Sequence, residues 1–155
     1  NVEKEYPEIQ ADSSVEIAKH SAIIAAKDLG APVIREDHSL FINHFYSFPG
    51  PYTSYFDKKI SAESLLKLMK DVKDRTGFFE IATVLAFPKG DFKEFAFKVP
   101  IRISTESLGS RGNWDKILML ENEQKTFAEL QPGTHKKVFA KNFELIIKYL
   151  PDVKK

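Results

Sequence analysis

Glu36 and Asp37 stand side by side at the carboxyl end of a β-rich run, Pro32-Val33-Ile34-Arg35. Open α/β sheets usually place ligand chemistry at that end of a strand. Two such acids can hold a hard cation such as Mg2+, which takes one or two carboxylates and completes its shell with water and phosphate oxygens. They can equally activate a water, or be no more than the solvated end of a strand. Trp114-Asp115 follows a flexible Gly-Ser-Arg-Gly-Asn segment at 109–113. An indole there can stack on a planar ring while the acid bonds its edge, or it can be core. Phe48-Pro49-Gly50-Pro51-Tyr52 either closes over a ligand or turns the chain, and Lys136, Lys137 and Lys141 form a solvated face or a phosphate site. Glu8, beside Pro7, is by itself an ordinary surface acid. Other chemistries find no support. There is no cysteine and no Gly-x-Ser-x-Gly elbow, and His20, His38, His44 and His135 fall in no metal-ligand spacing. Gly109-Ser110-Arg111-Gly112 lacks the Lys-Ser or Lys-Thr pair of a phosphate-cradling loop.

The elements that must position these groups are punctuated clearly. Residues 1–10 read as a strand or strand end. Ser13 with Glu16 forms a capping box, and Gly30 supplies a stop, predicting a helix over about 14–29. Residues 32–36 and 40–45 read as two β runs separated by the polar step Asp37-His38-Ser39, and 48–52 as a rigid loop. A helix is expected from Ser61 to about Val72. Residues 78–87 and 92–103 make an antiparallel hairpin around Pro88-Lys89-Gly90-Asp91, with Pro100 at an edge or bulge. A short strand at 117–120 follows. The last helix is expected from Thr134 to just before Pro151, burying Val138, Phe139, Phe143, Ile146, Ile147 and Leu150. This order describes an α/β chain around a mixed sheet.

Composition sets the bounds. A length of 155 residues is that of one domain, and 43% apolar with 29% charged residues excludes a disordered chain. The net charge of +1 argues against a nucleic-acid partner. No apolar run of membrane-spanning length and no signal segment occur in the sequence, so no membrane partner is expected. The lack of cysteine suits a reducing, cytoplasmic setting. Thirteen of the nineteen aromatic residues are Phe, which predicts a thick, dry core.

Four segments in order, Tyr6-Pro7-Glu8-Ile9-Gln10, Pro32-Val33-Ile34-Arg35-Glu36-Asp37, Phe48-Pro49-Gly50-Pro51-Tyr52-Thr53 and Lys125-Thr126-Phe127-Ala128-Glu129-Leu130, resemble the inosine triphosphate pyrophosphatase family over nearly the whole chain. The resemblance implies a two-lobed α/β fold around a long curved mixed sheet, with a cleft between the lobes. It also implies Mg2+-dependent attack of water on the α–β phosphate link of non-standard purine nucleoside triphosphates (ITP, XTP, dITP), and a homodimer. By the same carry-over Asp37 is the catalytic acid or base and a metal partner, with Glu8 and Glu36 helping to place Mg2+. Tyr52 and Thr53 line the cleft, and Trp114 and Asp115 border the base. Lys141 keeps the positive charge of a Ser-His-Arg signature, and Ser21 stands where the family commonly has lysine. The resemblance further implies that residues 1–155 form a single domain lacking the family's first strand, its phosphate loop and the helix after it. The alternative function is a family-derived nucleotide-binding or dimer scaffold with little or no turnover.

Overall fold

The computed structural model describes Tyr6, residues 9–134 and residues 136–153. Helix α1 spans Ser14–Leu29, as the capping box predicts: the Ser13 side chain accepts from the Glu16 N–H at 3.2 Å, and Gly30 closes the helix in the left-handed region at φ 62°. Such an N-cap contributes about 1 kcal/mol. Strand β1 (Val33–Ile42) is continuous. The expected break at Asp37-His38-Ser39 does not occur, because alternate burial lets polar side chains sit inside a regular strand. The residues expected to form a rigid loop instead include a short edge strand, β2 (Phe48–Gly50), pairing antiparallel with β1 through Phe41–Pro49 and its neighbours. An edge position tolerates the missing proline N–H.

Helices α2 (Thr53–Lys59) and α3 (Ala62–Leu68) follow, the first unanticipated and the second capped by Ser61 onto Ser64 N. Strands β3 (Thr76–Ala86) and β4 (Phe92–Ile103) form the expected hairpin, and β5 (Leu118–Leu120) pairs antiparallel with β4. The sheet order is β2-β1-β3-β4-β5. Thr83 bonds Glu36 while Phe78 stacks on Phe41, so β3 runs back as β1 advances and that pair is antiparallel too. The described sheet is therefore antiparallel where a mixed one was expected, because hairpin and meander connections replace parallel crossovers. The expected strand near the start falls largely on residues outside those described, and Tyr6, Ile9 and Gln10 belong to no strand.

The chain clusters into two compact units. The first takes in the described residues up to His38, Ile81–Phe97 and the described residues from Lys141 onward. In it α1 lays Ala18, Ala22 and Ala26 on Val84, Ala86 and Val33. Small side chains there bring helix and strands close. The other sheet face of this unit meets α5 (Lys141–Val153), whose buried positions are Asn142 and Ile146. The single expected helix is in fact α4 (Lys136–Phe139) and α5, interrupted at Ala140. Restarting the helix resets its phase, so Phe143, Ile147 and Leu150 are exposed rather than buried. The helix also runs through Pro151.

The second unit, Ser39–Glu80 with Lys98–Ala140, packs Leu40, Ile42, Leu65, Met69, Ile101, Ile103, Trp114 and Ile117 into one core. Its largest fully buried side chains are aliphatic, and Phe127 is the phenylalanine that is buried outright. Other phenylalanines pair at the margins, as Phe41 does with Phe78 and Phe79 with Phe139. The Phe-rich composition therefore seals the rims of the core more than it fills the centre.

Candidate functional site

Consecutive residues of a strand point to opposite faces, so the continuity of β1 decides where the two adjacent acids go. Glu36 faces α5. Its Oε2 accepts from Thr83 Oγ1 at 2.9 Å, and its Oε1 lies 2.8 Å from His38 Nε2, two residues on along the same face. Beneath Thr83, the fully buried Asn142 donates from Nδ2 to Thr83 Oγ1 and Ile81 O, each at 2.9 Å, and to Phe95 O at 3.2 Å. The chain Glu36–Thr83–Asn142 therefore ties β1, β3, β4 and α5 together. Nothing in the sequence around Asn142 announced this part, since a lone Asn in an amphipathic helix normally lies in solvent. Lys141, beside it, sits on the same side with its ammonium 5.7 Å from the Phe97 ring centroid.

Asp37 is half-buried on the other face, the one on which Val33 meets α1. The structure thus brings Glu36 and Lys141 to one side of the sheet and leaves Asp37 on the other. Glu8 lies outside the described residues. Ser21 turns its hydroxyl back onto its own helix, donating to Ile17 O at 3.0 Å and Ala18 O at 3.2 Å.

The remaining sequence-predicted residues belong to the second unit. Thr53 Oγ1 donates to Gly50 O at 2.6 Å and accepts from Leu40 N at 2.7 Å, pinning the turn after β2 to β1. Tyr52 precedes α2 and is 42% exposed. Trp114 is only 3% exposed; its indole N–H donates to Ile60 O and its backbone N–H to Asp57 Oδ1. Asn113 completes this knot, accepting from Ala62 N and donating to Ile60 O, both at 2.9 Å, and to Asp57 O. The indole is therefore core on one side. On its other side it lines a cavity of about 520 Å³ shared with Phe45, Phe48, Pro49 and Leu65. Asp115 is exposed, and its carboxylate shelters over Gly112, where a Cβ would come within 2.5 Å of Oδ2. Gly112 also holds φ at 65°, so this position excludes side chains on two grounds.

Elsewhere in this unit carboxylates are anchored in the same way as Glu36. Asp74 accepts from the Thr76 hydroxyl and backbone N–H, and both bonds hold its pKa below the ordinary value. The Glu63 carboxyl is held low chiefly by its own backbone N–H, with help from Ser61.

The donor geometry bears directly on a divalent cation. Among the described residues no three His, Asp or Glu side chains gather on one point. Strand alternation turns the tandem acids to opposite faces of the sheet, and both Glu36 oxygens have protein partners. A single carboxylate still matches Mg2+, which commonly takes one protein acid together with water and substrate phosphate oxygens.

The chain has relatives among known proteins. The sequence model of the Ham1 family matches residues 1–141. A protein of Methanopyrus kandleri named dITP/XTP pyrophosphatase is 40% identical over 83% of this chain and 69% of its own length. One of the same name from Ignicoccus hospitalis is 36% identical over 92% of this chain and 78% of its own. Solved structures of Ham1 proteins from Coxiella burnetii and Staphylococcus aureus superpose with a TM-score of 0.80 each, at 24% and 23% identity. They cover 94% and 99% of this chain, and 81% and 83% of their own.

Proposed function

The chain belongs to the Ham1 family, and from that membership we propose that it is a nucleoside triphosphate pyrophosphatase that hydrolyses dITP, XTP and ITP to monophosphate and pyrophosphate. The observation that carries this reading is the identity of 36–40% to relatives named dITP/XTP pyrophosphatase across four-fifths or more of the chain. The site residue on which it turns is Asp37. In the reaction proposed, Asp37 takes a proton from the attacking water. The water oxygen bonds to the α-phosphorus, the bond from that phosphorus to the α–β bridging oxygen breaks, and its electron pair leaves with pyrophosphate. General-base assistance of this kind is worth about 10²–10⁴-fold in rate.

Mg2+ is the proposed cofactor, with Asp37 as the described residue that would hold it. When bound, the ion would neutralise phosphate charge and polarise the phosphoryl oxygens. Glu36 supports this arrangement from the opposite face by fixing β1 through Thr83. Tyr52, Thr53, Trp114, Asp115 and Lys141 are proposed to act through shape and anchoring, since Thr53 and Trp114 already hold the backbone through their polar atoms. A cytoplasmic homodimer is the assembly proposed.

The test is pyrophosphate release from dITP, XTP, ITP and the four standard triphosphates, with and without Mg2+. Turnover of the first three that collapses on chelation is expected. Absence of turnover with every nucleotide, despite tight nucleotide binding, would favour a binding scaffold instead.

A further inference from the structure

The chain has four arginines, and three of them are occupied with the backbone of the second unit. Arg75 donates to Ile103 O at 2.9 Å, to Met69 O at 2.7 Å and to Ser104 O. Arg102 donates to Glu121 O and Glu123 O, both at 2.9 Å. Arg111 holds the carbonyls of Phe127, Ala128 and Leu130. Arg35 is the fourth. It lies half-buried in β1, in the first unit, and no hydrogen bond or ion pair to another described residue engages its guanidinium.

Its place on the strand is specific. Arg35 and Asp37 are two residues apart, so they share a sheet face with their Cα atoms about 7 Å apart. An arginine stem spans that distance. The same face carries Val33, Val84 and Ala86 against the alanines of α1. Two polar groups of α1 are committed elsewhere. Lys19 pairs with Glu94 at 3.1 Å and lies over the Phe92 ring, and the Ser21 hydroxyl bonds back into its helix.

A carboxylate that must work against a triphosphate faces several like charges. It needs a fixed cation beside it as well as any metal that arrives with the substrate. A guanidinium suits that task better than an ammonium, because its planar fork matches two phosphate oxygens at once. We infer that Arg35 is a phosphate-binding residue of this site, taking non-bridging oxygens of the phosphoryl groups that Asp37 faces. The inference rests on the pyrophosphatase reading for its substrate, but the anion site itself can be tested without turnover.

The experiment uses the full chain and the variants Arg35→Gln and Arg35→Lys. Calorimetry with inorganic tripolyphosphate reads anion binding directly, and steady-state pyrophosphate release reads KM and kcat. Arg35→Gln is expected to weaken tripolyphosphate binding, and to raise KM, about tenfold or more, the worth of a charge-assisted hydrogen bond. Arg35→Lys should recover part of the loss, and Tm should stay within about 2 °C. A purely structural arginine would show the reverse, with Tm falling and affinity following it. Equal tripolyphosphate affinity in wild type and Arg35→Gln, no binding by the wild type, or a loss that only tracks a fallen Tm overturns the assignment. A wild type that turns over no nucleotide, yet loses tripolyphosphate binding on Arg35→Gln, leaves Arg35 standing and removes the pyrophosphatase reading instead.

Discussion

The strand segment Glu36-Asp37-His38 and the turn Asn113-Trp114-Asp115 both set polar and aromatic residues next to one another in sequence, and the backbone treats them in opposite ways. The strand separates its neighbours onto two faces. Glu36 is bonded into Thr83 and Asn142 below the α5 face, while Asp37 is placed on the α1 face with Arg35. The 3-10 turn gathers its residues instead, and Asn113 and Trp114 converge on Asp57, Ile60 and Ala62. Residues that look equally functional in sequence are thus placed in different surroundings by the backbone that carries them. A side chain whose donors and acceptors are matched inside the protein is scaffold, and its loss is felt first as stability.

The sharpest test sets the two acids against each other. Asp37→Asn preserves shape and removes the base, and pyrophosphate release is expected to fall by about 10²–10⁴-fold with little change in Tm. Glu36→Gln keeps an acceptor for Thr83 and should cost less than about tenfold in kcat, with a lowered Tm as its main effect. Comparable rate losses in the two variants would break the division between the faces.

Trp114 tests the other region. Trp114→Ala should destabilise the protein by about 3–5 kcal/mol, the range for emptying a large buried aromatic site. Trp114→Phe keeps most of the packing and removes one of the two hydrogen bonds to the Ile60 carbonyl, which Asn113 still satisfies, and should cost about 0.5–1.5 kcal/mol. Thermal or denaturant unfolding reads both. If Trp114→Phe leaves stability unchanged and instead raises KM for the nucleotide, the indole is a base-stacking surface and the comparison between turn and strand fails.

What the sequence made legible follows from the range of the forces involved. α1 was readable to the residue because its start and stop are local: a Ser13 hydroxyl, a Glu16 amide and a left-handed Gly30. The β3–β4 hairpin was readable for the same reason, through alternation and a glycine turn. The division of α4 from α5 was not, because periodicity carries across Ala140 and only packing reveals that Asn142 and Ile146, rather than Phe143 and Ile147, face the sheet. At the site, the motif identified Asp37 and Trp114 as noteworthy. It could not say that a hydroxyl 47 positions away holds Glu36, or that a carbonyl 54 positions away holds the indole. Such partners are set by strand register and chain return, which no local pattern encodes.

The smallest effect calibrates the scaffold end of the comparison. Asp74 is an anchored acid at the protein surface, bonded to Thr76 Oγ1 at 2.5 Å and to Thr76 N at 3.0 Å, while Asn43 Nδ2 donates to the same hydroxyl at 2.8 Å. The Thr76 hydroxyl is the leading cause of its lowered pKa, followed by the Thr76 amide. Because the folded value lies below the unfolded one, the stabilisation is complete above the ordinary carboxyl pKa near 3.8 and is lost as pH falls through the lower folded value. Thr76→Val removes the hydroxyl and keeps the amide. The Asp74 carboxyl resonance should then titrate closer to 3.8 by NMR, while pyrophosphate release at neutral pH is unchanged. An Asp74 titration that does not move would show that the hydroxyl does not anchor this acid, and Glu36, held by Thr83 through the same kind of bond, would lose its strongest parallel.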